Sequence, residues 1–155
     1  MFLYTLILSL ILPTFQSPTT IPVVDAEPFN LSGYWTGHTT QDEGGNETSF
    51  DIELYLKDDN GTLSGTTIIS GQEIHARIEV EGTFKSGLSI FLKDTEIKDN
   101  KVKTDVRMEW CLKQYILLLK KVDEEWILEG HWHGKTSFMT CTPGKVVLKK
   151  GVERA

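Results

Sequence analysis

The first 24 residues carry no charged side chain, and no cysteine occurs before Cys111. Phe2 to Leu12 is an almost unbroken apolar run that stops at Pro13, with no Lys or Arg ahead of it. It is too short for a membrane-spanning helix, which needs roughly 20 apolar residues. A signal-peptide core fits it, with only the α-amine as the positive n-region. Cleavage is expected near Ser17 or at the small-residue pattern Val24-Asp25-Ala26. The alternative is an uncleaved anchor or a first strand. The lack of an early cysteine excludes lipid attachment at a cleaved signal. Residues 1–26 are therefore read as signal peptide and start of a tether, 27–30 as the rest of the tether, and 31–151 as the folded domain. The mature chain is expected to be secreted or periplasmic.

Other absences narrow the function. No cluster of five or more basic residues occurs, and the formal net charge of −6 lies wholly after Val24. Nucleic acid and anionic membrane surfaces are poor partners for such a chain. There is no glycine loop to cradle phosphate, and no Ser with a nearby base and oxyanion loop. Asp94, Glu96 and Asp105 show no apolar setting that would raise a carboxylate pKa, so they read as outer-face strand residues. His131 and His133 point to one side of a strand, but no third ligand joins them, and His38 and His75 are isolated. No catalytic residue, metal site or cofactor is expected.

What the chain does contain is alternation. Ile74, Ala76, Ile78, Val80, Gly82 and Phe84 are separated by His75, Arg77, Glu79, Glu81 and Thr83. Strict period two means a strand with one face buried. Phe50, Ile52, Leu54 and Leu56 repeat it, as do Leu88, Ile90 and Leu92, and then Trp126, Leu128, Gly130 and Trp132. Turn signals separate these runs: Asp58-Asp59-Asn60-Gly61, Gly71-Gln72, Ser86-Gly87, Asp99-Asn100, Asp123-Glu124 and Pro143-Gly144. The first strand is expected over Leu31 to Gln41. Val102 to Lys121 is expected to form one or two strands with a bend or bulge near Cys111. No segment shows a 3.6 period. The fold class is therefore all-β: an antiparallel up-and-down β-barrel of about eight strands, preceded by a signal peptide.

Two cysteines in an exported chain suggest a Cys111–Cys141 disulfide, with two buried free thiols as the alternative. Asn30-Leu31-Ser32, Asn46-Glu47-Thr48 and Asn60-Gly61-Thr62 match the glycosylation acceptor pattern, which matters only in a host that glycosylates.

Gly33-Tyr34-Trp35 resembles the Gly-x-Trp signature of the lipocalin and avidin superfamily of calycin barrels. Leu31 to Trp35 looks most like the first strand of avidins. Gly61-Thr62-Leu63-Ser64-Gly65-Thr66 is similar to their second-to-third strand hairpin, and Val80 to Phe84 to their fourth strand. The resemblance covers about the first half of the barrel and implies a ligand-binding fold. Biotin binding is not implied, because the avidin contact positions carry Gly37, Gln41 and Thr67. Against lipocalins, Thr104-Asp105-Val106 only partly echoes the second motif, and nothing after Lys150 supplies their C-terminal helix.

The candidate ligand-binding residues are Trp35, Trp110, Trp126, Trp132 and Tyr115. Indole walls suit a barrel cavity, while a core filled by the same indoles is the alternative. The expected function is non-enzymatic: an exported barrel that binds a small apolar or amphipathic ligand in its interior or mouth. Two rivals remain. One is a barrel that docks on a protein partner, as protease inhibitors do through an N-terminal tether like Thr19 to Phe29. The other is a structural envelope protein with a filled core.

Overall fold

Alternating side chains force a sheet to hide one face, and a sheet of this size hides it best by rolling up. In the computed structural model, which describes residues 29–42, 49–71, 74–85, 88–102 and 109–152, eight strands do so. They are β1 (Gly33–Thr40), β2 (Ser49–Asp59), β3 (Thr62–Ser70), β4 (Ile74–Lys85), β5 (Ser89–Val102), β6 (Leu112–Val122), β7 (Glu125–Lys135) and β8 (Gly144–Lys150). Each pairs antiparallel with the next, and β8 pairs with β1 to close the barrel. The described residues contain no helix, and hence none long and apolar enough to cross a membrane. The signal-peptide and most of the tether expectations fall on residues 1–28, outside the described ones.

The inward positions follow the predicted parity. Ile52, Leu54 and Leu56 from β2 and Ala76, Ile78 and Val80 from β4 are buried as predicted, and Leu117 and Leu119 from β6 and Val146 and Leu148 from β8, for which no parity was predicted, are buried too. Each large aliphatic side chain so buried contributes about 1.5–3 kcal/mol, and together they form one contiguous core.

Tight turns mark one end of the barrel. Asn60 and Gly61 have φ of 51° and 84°, as a two-residue primed turn between Asp59 and Thr62 requires. Asp58 secures that turn by accepting the Gly61 N–H on Oδ1 at 2.8 Å. Its Oδ2 accepts the Leu31 N–H at 3.1 Å, and its own N–H donates to Ser32 Oγ at 2.9 Å. These bonds hold Leu31 under the barrel and take it out of the ladder, which explains why β1 begins at Gly33 and not at Leu31.

Two strand boundaries differ from expectation. Asp99 and Asn100 do not turn: β5 runs through them, with Asp99 opposite Arg77 and Asn100 opposite Ala76. Continuous pairing with β4 and the opposite charges of Arg77 and Asp99 outweigh local turn preference. Nor does a strand cross Cys111. β6 starts at Leu112, because the disulfide to Cys141 holds Cys111 beside another connection. The register shifts lie instead between β4 and β5, at Arg77/Ile78 and Glu79/Val80.

A candidate ligand site at the open end

The end opposite the tight turns carries the connections from β1 to β2, β3 to β4, β5 to β6 and β7 to β8. Here the wall parts. Thr95 and Lys98 have no partner in β4, so β5 is bulged twice, and bulges bend a strand and increase its twist. Pairing of β5 with β6 runs only from Ser89↔Leu118 to Lys93↔Gln114. Beyond it lies a cleft of about 600 Å³, lined among others by Lys93, Asp94, Glu109, Trp110, Lys113 and Ser137.

Asp94 stands at the fork. It shares parity with Ile90 and Leu92, so it points inward and is only 7% exposed. Oδ2 accepts the Lys113 backbone N–H at 2.8 Å. Burial pushes its carboxyl up to about 6, against the opposing pull of the Lys113 charge and N–H. This corrects the expectation that Asp94 sits on an outer face without an apolar setting. Glu96, by contrast, is exposed and pairs with Lys98 at 2.7 Å, and Asp105 lies outside the described residues.

Lys113 is the other inward charge and is also 7% exposed. Its Nζ lies 5.2 Å from the Trp132 ring centre and 5.7 Å from that of Trp110. Cation–π attraction partly replaces its lost hydration. Its one hydrogen bond is a long contact of 3.4 Å to Cys111 O. Burial lowers the amine's pKa, and Asp94 opposes that shift. Tyr115, next on the same face of β6, has its hydroxyl held well above the usual phenol range by burial and by Asp94. Asp94 Oδ1 and Tyr115 Oη are near enough to interact, yet neither has a well-directed hydrogen bond. Trp110 Nε1 and Gln41 Oε1 are likewise buried without a partner among the described residues. So many unsatisfied polar atoms are uncommon in a core.

The roof of the cleft is stapled. The Cys111–Cys141 disulfide, with Cα atoms 6.3 Å apart, joins the chain leading into β6 to the β7–β8 connection. Glu109 reinforces it by accepting the Ser137 N–H at 2.8 Å and its hydroxyl at 3.0 Å. Beneath, Trp132 Nε1 donates to Thr40 O at 3.0 Å. Gly144 makes room for that bond, since a Cβ there would lie 1.7 Å from Thr40 O and 2.8 Å from Trp132 Nε1.

The five sequence candidates therefore divide. Trp110, Trp132 and Tyr115 gather at the open end. Trp126 is six residues from Trp132 along β7, about 20 Å at roughly 3.3 Å per residue. It packs against Phe29 with ring centres 4.3 Å apart. Trp35 lies at the same closed end, fully buried, with Nε1 donating to Leu31 O at 3.0 Å and Lys150 Nζ 5.3 Å from its ring. This pair plugs the barrel. His131 and His133 are exposed on the outer face, and His133 Nε2 contacts Gln114 Oε1 at 3.2 Å.

Asp94 and Lys113 were missed as site residues. Their signal was a charge at an inward parity, in Ile90-x-Leu92-x-Asp94 and Lys113-x-Tyr115-x-Leu117. Comparison with known proteins finds no family model, no curated protein and no solved structure that matches this chain. The architecture is compatible with a calycin-type barrel.

Proposed function

We propose that this protein is an exported, non-enzymatic barrel of calycin type that binds a small apolar or amphipathic ligand at its open end. The observation that carries the reading is the cleft where β5 leaves β6, lined by Trp110, by Asp94 and Lys113, and by outer-face residues such as Gln114 and His133. Trp110 and Leu112 give the cleft its apolar surface, and the rest of its lining is mostly polar or charged, which suits an amphipathic ligand. The Cys111–Cys141 disulfide supports an oxidising compartment. The avidin-like kinship stays part of this proposal and predicts no biotin, since Gly37, Gln41 and Thr67 stand at the contact positions.

The test is tryptophan fluorescence against a panel of hydrophobic small molecules and oligosaccharides. A ligand should quench or shift the emission, and Trp110→Phe should remove most of that response. No response to any compound, in protein shown to be folded, would overturn the reading.

A second reading, docking on a protein partner, is favoured by one feature. Phe138 and Met139 at the rim are 74% and 56% exposed, on a turn fixed by the Thr136 N–H donating to Met139 O at 2.9 Å. Rigid exposed apolar groups of this kind serve as interface anchors. Replacing both by Ser would abolish a protein complex and leave small-molecule quenching intact.

A further inference from the structure

The least expected group in the cleft is an amine. Several exposed lysines of this chain sit in surface ion pairs: Lys93 with Glu81 at 2.7 Å, Lys121 with Glu124 at 2.7 Å, Lys149 with Glu125 at 2.6 Å, and Lys120 with Glu129. Lys113 has no carboxylate oxygen within ion-pair distance among the described residues. It has two indole neighbours and a single long bond to Cys111 O. An ammonium has three N–H donors to satisfy, and among the described residues one acceptor, Cys111 O, bonds it. Burial favours the neutral amine here, against the opposing pull of the two indole faces and of the Asp94 charge.

Resting on the cleft as a ligand site, we propose that Lys113 captures its ligand covalently, its amine condensing with the aldehyde of a flat apolar molecule to form an imine. Lys113 and Trp110 both line the cleft, which places the capture site beside the indole. The flat ring of the ligand follows from Trp110, the one indole in the lining.

The chemistry closes without a further reactant. The nitrogen lone pair attacks the carbonyl carbon, a C–N bond forms, and the C=O π pair moves to oxygen. A proton moves from nitrogen to that oxygen, giving a carbinolamine. The remaining N–H proton and the hydroxyl then leave as water, and the C=N bond forms. Nothing is oxidised or reduced. A lysine desolvated in an apolar pocket is an activated nucleophile for this step. The fall in its pKa supports the assignment, because each unit of depression raises the neutral fraction about tenfold at neutral pH. Asp94, the group whose charge acts on Lys113, titrates near 6 and is suited to exchange the protons.

The experiment uses the intact protein and two probes, cinnamaldehyde and cinnamyl alcohol. Cinnamaldehyde is added at pH 7 with cyanoborohydride, which reduces an imine to a stable amine, and peptides are mapped by mass. Lys113 should acquire the adduct severalfold faster than Lys93 or Lys120. The alcohol has no carbonyl and reports reversible occupancy through tryptophan quenching. Quenching by the alcohol with Lys113 labelled no faster than the surface lysines would overturn covalent capture and leave the binding cleft standing. Neither quenching nor selective labelling would overturn both.

Discussion

The carboxylate of Asp94 accepts the backbone N–H of Lys113 at 2.8 Å, just past the last ladder pair, Lys93↔Gln114. A side chain thus takes the place of a strand carbonyl where the barrel wall opens. The bond satisfies an N–H that would otherwise be orphaned in the core. It also brings a titratable group into the interior, and stability acquires a pH dependence from it.

The sign of that dependence is fixed by the direction of the shift. The carboxyl rises from 3.8 to about 6 on folding, so the folded state holds the proton more tightly. The stabilisation is complete below the unfolded pKa and is lost as pH climbs through the folded one. Between pH 4 and 7 this group alone should withdraw roughly 2–3 kcal/mol. Asp94→Asn keeps an oxygen for the Lys113 N–H and cannot titrate. Urea unfolding at pH 4, 5, 6 and 7 should show wild type losing stability relative to the variant across that window. Parallel curves would refute the buried acid.

The β6–β7 hairpin carries strain that a single substitution relieves. Asp123 and Glu124 have φ of 47° and 68°, a two-residue primed turn made without glycine. Left-handed backbone costs a non-glycine residue about 1–2 kcal/mol. Glu124→Gly removes that cost, gives back part through a more flexible unfolded chain, and loses an exposed ion pair to Lys121 of small value. The net expectation is a gain of about 0.5–1 kcal/mol in the urea midpoint analysis, with an unchanged slope.

The fold was legible because period two survives in nearly every strand, and turn chemistry punctuated most of them. The site was legible only in part. Trp110, Trp132 and Tyr115 do gather at the open end, but indole content alone does not tell a plug from a wall: Trp35 and Trp126 close the other end. Position along a strand decides which end a residue reaches, and that depends on register. Asp94 was misread because charged strand residues usually face water, and its parity with Ile90 and Leu92 was outweighed by that habit. The bulges at Thr95 and Lys98 left no mark in composition. They arise from fitting β5 to β4 while it parts from β6.

The disulfide closes a loop of 30 residues and ties the segment before β6 to the β7–β8 connection. Chain entropy makes that crosslink worth about 3–4 kcal/mol. The Cys111→Ala, Cys141→Ala double variant should unfold at correspondingly lower urea, and wild type should match it after reduction. Because Cys111 and Glu109 both tie the roof to the β7–β8 connection, the variant should also bind any cleft ligand more weakly. Equal stability of oxidised and reduced protein would show that the crosslink constrains nothing.

The two ends of the barrel are separable by two indoles. Trp35 is fully buried, donates to Leu31 O and lies under Lys150. Trp35→Phe keeps a ring there but strands the Leu31 carbonyl and shrinks the plug. The expected cost is about 2–4 kcal/mol from the unpaired acceptor and the residual void. Trp110 is only partly buried, and its Nε1 makes no bond to lose, so Trp110→Phe should cost less than about 1.5 kcal/mol. The ligand response should behave the opposite way. Trp35→Phe should retain the fluorescence change seen on ligand addition, because its indole lies on the far side of the filled core. Trp110→Phe should lose most of it. If Trp35→Phe abolished the response in protein still folded, the ligand would have to enter from the closed end, and the cleft beside Asp94 would not be its site.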